Sequence, residues 1–274
     1  MENQLKYLGS LFIAASLFFF SCSDNSAQYT PEPEQELLSQ LRDSLNTVVN
    51  SMYSALSEFA DSTAKEKTIN ETKIRTRLIK WHTDFPEVVD CAFVTPLGIM
   101  QYIEPEAYRN HEGADISTQE QVIRMWQTKK PVLSLLFLSV EGFYACDMQV
   151  PFYFDTLLAG SYSLLVKPDI FFNKILRPVI KSDIDDIFVM QKNGTLLWDA
   201  DTSQIGRNTF TDTLYQQFPE LITAAHKVAQ EAKGNTNYSF YDNSKSKVVT
   251  KTVWWLTLNY YGTEWKLCIV KETY

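Results

Sequence analysis

The strongest constraint on this chain is a pattern that occurs twice. An apolar run, a reverse turn and a second apolar run lead into helix and loop, and then into strand-like segments. The first copy occupies Val88–Val166 and opens with VVDCAFVT, the turn Pro96-Leu97-Gly98, and IMQYIEP. The second occupies Ile184–Val270 and opens with IDDIFVMQ, the turn Lys192-Asn193-Gly194, and TLLWDAD. Pro ahead of Gly, and the Asn-Gly pair, are strong reverse-turn signals between apolar runs. Two hairpins, each with further strands behind it, predict an α+β chain built on two antiparallel sheets.

A long helix precedes both copies. Leu37, Leu41, Leu45, Val48, Met52, Leu56 and Phe59 recur at steps of three and four, so one apolar stripe runs along a helix over Glu34–Ala60. Such a helix is roughly 40 Å long, enough to lie along both sheets. The 3.6 period fits better than a strict seven-residue repeat, which favours packing on the chain's own sheets over a dimer seam. A second helix is predicted over Ile69–His82, with Asn70 as N-cap and Asp84-Phe85-Pro86 as its stop.

Within the first copy a helix is expected over Thr118–Lys129. Ser117 and Glu120 would form its capping box, and Pro131 would end it. Strands are expected at Val132–Leu138, Gly142–Phe152 and Leu157–Lys167. In the second copy QIGRNTFTD reads as a short irregular helical stretch. A helix then runs from Pro219 to an end at Gly234, with strands at Thr236–Tyr241, Lys247–Asn259 and Glu264–Lys271.

The N-terminus reads as an export signal with a lipid-attachment cysteine. Leu8–Phe20 is an apolar run of about 13 residues, too short for a bilayer span but suited to a signal sequence. Cys22 follows it directly, then the polar stretch SDNSAQYTPEPEQE. Phe19 stands where a lipobox usually has Leu, and Glu2 offsets Lys6, so an ordinary secretory signal or an uncleaved anchor are the alternatives. Cys91, Cys146 and Cys268 lie in apolar, strand-like segments without CxxC spacing. They read as buried free thiols, with a Cys91–Cys146 bond as the alternative.

The net charge of −8 argues against nucleic acid and against a polybasic membrane surface. There is no GxSxG, no HExxH and no phosphate-cradling glycine loop, and His82, His111 and His226 lack metal-ligand spacing. No enzyme, metal or cofactor is expected. The cluster Asp183, Asp185 and Asp186 at the start of a strand reads as solvated edge charge rather than a calcium site.

Taken in order, these segments resemble the double-Cache arrangement of PAS-like extracytoplasmic sensor domains. The resemblance is carried by the long helix, VTPLGIMQYIEP, DISTQEQVIRMWQTKKPVLS and VPFYFDTLLAGSYSLLVKP. It continues in IDDIFVMQKNGTLLWDAD, IGRNTFTD, FPEL and YGTEWKLCIV, and spans about Glu34 to Lys271. Beyond the signal peptide 1–21 and tether 22–33 read from the residues, it implies N-terminal helices 34–84, a first, membrane-distal module 85–180, and a second, membrane-proximal module 181–274, each built on a central antiparallel sheet. It also implies a small ligand, such as an amino acid, carboxylate, amine or purine, held in the first module. Members of the family normally continue into a cytoplasmic output domain, and none follows here. The expected role is therefore a lipid-anchored sensory protein that signals or presents its ligand through a separate membrane partner. The rival reading is a structural or interaction lipoprotein whose fold has collapsed and binds nothing.

The amino-acid-binding subset of the family uses Arg-x-Trp-Tyr, then a Tyr and an Asp on a following strand, then a later Asp. Arg124-Met125-Trp126 resembles the first part, with Gln127 in place of the Tyr. Tyr144 and Asp147 resemble the strand pair at a spacing one residue too long, and Asp169 stands as the later acid. The resemblance implies that Arg124 would fork a ligand carboxylate while an aspartate pairs its ammonium. Tyr108, Arg109, His111 and Glu112 would form either a pocket lid or an ordinary polar loop. Geometry opposes convergence. Arg124 and Trp126 lie about 200° apart on an ideal helix, and Tyr144 and Asp147 point to opposite faces of a regular strand. The bland alternatives are a solvated Arg124, a core Trp126 and a strand-filling Tyr144. Arg207 and Asn208 read as structural, and Trp198, Trp254, Trp255 and Trp265 as strand packing.

Overall fold

The computed structural model describes residues 32–180 and 184–273. Its first element is the helix α1, Pro33–Glu66. No Gly or further Pro interrupts it, Pro33 sits in the first turn, and Glu34 and Glu36 complement the helix N-terminus. It runs past the expected end at Ala60, and Lys67 closes it in a left-handed conformation. The fully buried stripe is Leu38, Leu41, Leu45, Val49, Met52 and Leu56, flanked by partly buried Leu37, Val48 and Phe59. The stripe is thus centred slightly further round than its sequence pattern suggested, because α1 is gripped from two sides. α2 follows at Glu71–Asp84, capped by the Asn70 side chain, which accepts the Lys73 N–H at 3.0 Å.

The first sheet contains β1 (Val88–Val94), β2 (Met100–Glu104), β3 (Val132–Leu133), β5 (Tyr144–Phe154) and β6 (Leu157–Val166). Its order is β2-β1-β6-β5-β3, with β4 (Phe137–Leu138) pairing β5 off that path. After α4 (Pro168–Leu176) come β7 (Asp186–Gln191), β8 (Leu196–Asp199), α5 (Thr213–Gln216) and α6 (Pro219–Gln230). Strands β9 (Lys233–Tyr241), β10 (Val248–Tyr260) and β11 (Thr263–Glu272) complete the second sheet, ordered β8-β7-β11-β10-β9. All pairs are antiparallel. The repeat read from sequence is therefore a repeat of topology. Each sheet opens with a hairpin, and its last strand returns to pair with its first.

The two hairpin turns also share a steric cause. Gly98 and Gly194 hold φ of +80° and +87°. A Cβ at Gly98 would lie 2.7 Å from Ser117 Cα, and one at Gly194 2.7 Å from the Phe210 ring. Only glycine fits where the loop after the hairpin folds back over its turn.

Each sheet has two covered faces. The inner faces share one core with α1, which packs on β5 and β6 of one sheet and on β10 and β11 of the other. The outer face of the first sheet is covered by α3 (Glu120–Thr128) and the loop before it, and that of the second by α6.

Two local expectations fail. Ser117 and Glu120 form no capping box; the helix begins at Glu120, and Asp115 Oδ1 instead accepts the Ser117 N–H at 2.9 Å. α6 stops at Gln230, and Gly234 lies inside β9, where its bare Cα lets the Trp255 ring pack closely. Cys91, Cys146 and Cys268 are free and buried, so the alternative bond is absent. Burial pushes all three thiols up.

Candidate functional site

α6 turns Leu221, Ala224, Ala225 and Val228 toward the outer face of the second sheet. Two of these four are alanines, too short to reach the strands. A cavity of about 600 Å³ remains between helix and sheet. That volume falls in the range of small-molecule sites. Its walls are largely apolar, with Phe188, Met190, Leu196 and Val253 among them, and Tyr215, Tyr238, Phe240 and Tyr241 add aromatic surface.

Strand register sets its polar floor. Asp199 pairs with Phe188 across β7 and β8, so Asp186, two residues from Phe188, shares its face. Lys251 pairs with Tyr238 and falls on that same face. Asp199 and Lys251 are buried, at 4% and 5% exposure. Burial pushes the Asp186 carboxyl up to about 7, against the opposing field of Lys251. Burial, and then the charge of Asp186, raises Asp199 well above the usual carboxylate range. Asp186 Oδ1 is buried with no hydrogen-bond partner. Lys251 Nζ donates to Asn243 Oδ1 at 3.4 Å.

The other cations around the cavity are paired. Lys245 meets Asp201 at 2.8 Å and Arg207 meets Asp212 at 2.9 Å. Burial raises Asp201, but hydrogen bonds from Lys245 and Ser203 outweigh it and hold the carboxyl low. Arg207 Nε also donates to Ser203 O, and Asn208 Nδ2 to Asn193 O, so both tie loop backbone as expected.

Among the described residues, the space found at the first sheet is far smaller. Beneath the loop that follows β3, a void of about 20 Å³ would hold about one water. Asp90, Glu141 and Asp147 surround it. Burial raises Asp147 to about 7 despite hydrogen bonds from Ser163 and Gln121. Burial, then the charges of Glu141 and Asp147, raises Asp90 well above the usual carboxylate range. Asp90 Oδ2, Ser139 Oγ and Glu141 Oε1 are buried without partners.

Of the residues singled out from sequence, only Asp147 reaches this void. Arg124 turns the other way, donating to Gly262 O at 2.9 Å, Thr263 Oγ1 at 3.2 Å and Leu133 O. It ties α3 to the β10–β11 turn of the second sheet. Trp126 is half-buried against the outer core of the first sheet, Tyr144 is 63% exposed, and Asp169 is exposed in the first turn of α4. Tyr108 lies in a 3₁₀ turn, Glu106–His111, and packs edge-on against Phe143. That turn is fastened rather than hinged. Arg109 reaches buried Glu104 at 2.8 Å, and Arg75 reaches Glu112 at 2.8 Å and Glu104 at 3.2 Å. The set does not converge, because Arg124 and Trp126 leave α3 on different sides and Tyr144 and Asp147 leave β5 on opposite faces. Cys22 lies outside the described residues.

The acidic start of β7 also departs from expectation, since Asp186 faces the cavity instead of solvent. The usable signal was positional. Asp186 before the second hairpin and Asp199 at its far end are acids that an antiparallel register brings side by side. Among the described residues, no cluster of His, Cys, Asp and Glu could hold a metal ion.

Residues 45–168 match the profile of the HK/GC/chemotaxis protein-like sensor domain. No curated protein matches the sequence. Among solved structures, an extracellular ligand-binding receptor from Desulfohalobium retbaense superposes with a TM-score of 0.71 at 27% identity, covering 88% of this chain and 41% of that one. The chain thus spans less than half of that receptor's length. The periplasmic sensory domain of the Campylobacter jejuni chemoreceptor Tlp1 gives a TM-score of 0.64 at 8% identity, covering 88% and 94%. The ligand-binding domain of the Pseudomonas aeruginosa amino acid chemoreceptor PctC, in complex with GABA, gives 0.62 at 13% identity, covering 86% and 97%. With its long helix and its twice-repeated antiparallel sheet, the chain has the double-Cache, PAS-like fold, and its residues 45–168 match the sensor-domain family.

Proposed function

We propose that this chain is the ligand-binding part of a sensory system outside the cytoplasm. In this reading a small molecule binds in the second-sheet cavity, and no catalytic step is involved. The observation that carries it is the cavity of about 600 Å³ with mostly apolar walls and a charged floor. A collapsed, non-binding body would fill that space with its own side chains. The extracellular and periplasmic sensor domains of similar fold support the location. Cys22 would carry a lipid anchor, and a separate membrane protein would receive the bound state. In that plan the first module lies farther from the membrane and the second nearer to it.

A thermal-shift screen of the full-length chain against amino acids, organic acids, amines and purines tests the reading. A ligand at a hundredfold its Kd should stabilise by about 2.7 kcal/mol. Ala224→Phe, which pushes a ring into the cavity from α6, should abolish the shift. Shifts that survive Ala224→Phe would remove the ligand from this cavity. For the anchor, Cys22→Ser should release the protein from the membrane fraction, and unchanged retention would refute it.

A second reading has its own observation. The unpartnered oxygens of Asp90 and Glu141 beside Asp147 suit a cationic group at the first sheet once the loop above it opens. Ligand shifts lost in Asp147→Asn but kept in Ala224→Phe would favour it.

A further inference from the structure

We infer that the second-sheet cavity takes a small organic cation, an amine with an apolar body, whose charged head sits between Asp186 and Asp199. The inference rests on the cavity's being the ligand site, as proposed above, and adds the chemical class.

Charge is the first argument. Lys245 and Arg207 are neutralised by Asp201 and Asp212 at 2.8 and 2.9 Å. What remains facing the space is two carboxylates, Asp186 and Asp199, against one ammonium, Lys251. Asp185 and Asp242 at the rim add negative charge. Asp185 Oδ2 is taken up by the Glu272 N–H, and Asp242 by the Ser244 and Ser246 side chains. Burial favours keeping a proton on this pair while the cavity is empty, and a cation entering between the two acids would take that proton's place. Buried carboxylates are costly unless something pairs them.

An unfilled acceptor is the second argument. Asp186 Oδ1 is buried and accepts no hydrogen bond. Asp199 Oδ1 accepts the Asp201 N–H at 2.8 Å, which fixes that carboxylate in place. An ammonium set between the two would satisfy Asp186 without moving Asp199.

The walls are the third argument. Tyr215, Tyr238, Phe240 and Tyr241 offer ring faces that attract a cation, while Met190 and Val253 offer an apolar bed for a hydrocarbon body. A carboxylate ligand meets the opposite situation. It would enter beside Asp186 and Asp199, with only Lys251 to attract it. A zwitterion gains at one end what it loses at the other.

Calorimetry on the full-length chain decides the matter, with n-butylamine, 1,4-diaminobutane and choline as cations, and n-butanol and succinate as neutral and anionic controls. The cations should bind and the controls should not. Asp186→Asn and Asp199→Asn keep the side-chain shape, and each should weaken binding at least tenfold. Urea midpoints identify any variant that fails to fold, and the other Asn variant then carries the test. Succinate or butanol binding that Ala224→Phe blocks, with the amines inert, overturns the charge class and leaves the cavity as a ligand site. Amine binding that neither Asn variant weakens also overturns it. If no probe binds and Ala224→Phe alters no shift in the wider screen, the inference and the functional reading fall together.

Discussion

Arg124 separates the motif from the structure, because each assigns it a different job. If it anchors a ligand, Arg124→Ala should lose binding and leave the fold alone. The structure instead makes it a joint between the sheets. Its guanidinium donates to two carbonyls, Gly262 O and Leu133 O, and to Thr263 Oγ1, and its side chain is 22% exposed. A hydrogen bond to a charged group contributes about 1.5–3 kcal/mol. The three do not add. The Thr263 hydroxyl still donates to Leu133 O after the truncation, and the exposed Gly262 turns to water. The net loss should therefore be about 1.5–3 kcal/mol, the value of a single such bond.

For a body of this size that corresponds to a fall in Tm of roughly 3–12 °C. Arg124→Lys should recover part of it, since an ammonium supplies the charge but cannot fork between two acceptors. Urea unfolding followed by tryptophan fluorescence measures the change. Ligand affinity should stay at the wild-type value, since Arg124 lines neither the cavity nor the smaller void. Wild-type stability with lost affinity would refute the joint and return Arg124 to a binding role.

Leu45→Ala removes a fully buried side chain from the core that α1 shares with both sheets, and should cost about 2–5 kcal/mol by equilibrium unfolding. A change in oligomeric state with an unchanged melting curve would move α1 to a subunit seam. Gly194→Ala forces φ of +87° on a residue with a Cβ 2.7 Å from the Phe210 ring, and should destabilise by more than 1 kcal/mol; a neutral effect by the same assay would show that the turn relaxes freely. Stability should fall as pH rises from about 4 to about 7. Asp186 and Asp147 titrate near 7 when folded and near 4 when unfolded, so the native state holds more protons across that window. Asp186→Asn should flatten the slope, and urea midpoints that stay constant with pH in the wild type would count against these carboxyls being held protonated.

The fold was legible because its signals are local and repeated. Glycine after a polar or apolar pair marks each hairpin, and a period of 3.6 residues marks α1. The antiparallel return of the last strand follows once two such modules are seen. What failed were ends that tertiary contact decides. α1 continues past Ala60 because its last turns still bury Ala60 and Thr63. Gly234 looked like a helix stop, yet β9 needs it where Trp255 presses on the backbone. The residue pairs drawn from the resemblance failed for a reason visible beforehand. Residues two apart on a helix, or three apart on a strand, do not share a face.

The candidate site was less legible because a cavity is a deficit, and sequence records what is present. Ala224 and Ala225 are unremarkable helix formers until strands are placed opposite them. Then their missing volume becomes the room beneath α6. The same holds for its charge. Asp186 reads as an edge residue when only its neighbours in sequence are considered, and Asp199 as the end of a hairpin. Register puts both on one sheet face with Lys251, and the helix above withdraws them from water. Asp186 Oδ1 then has no partner within the protein. An excess of buried carboxylate that the fold leaves unpaired, beside a space that the fold leaves unfilled, is the physical reason to look for a cation there rather than at the motif in the first sheet.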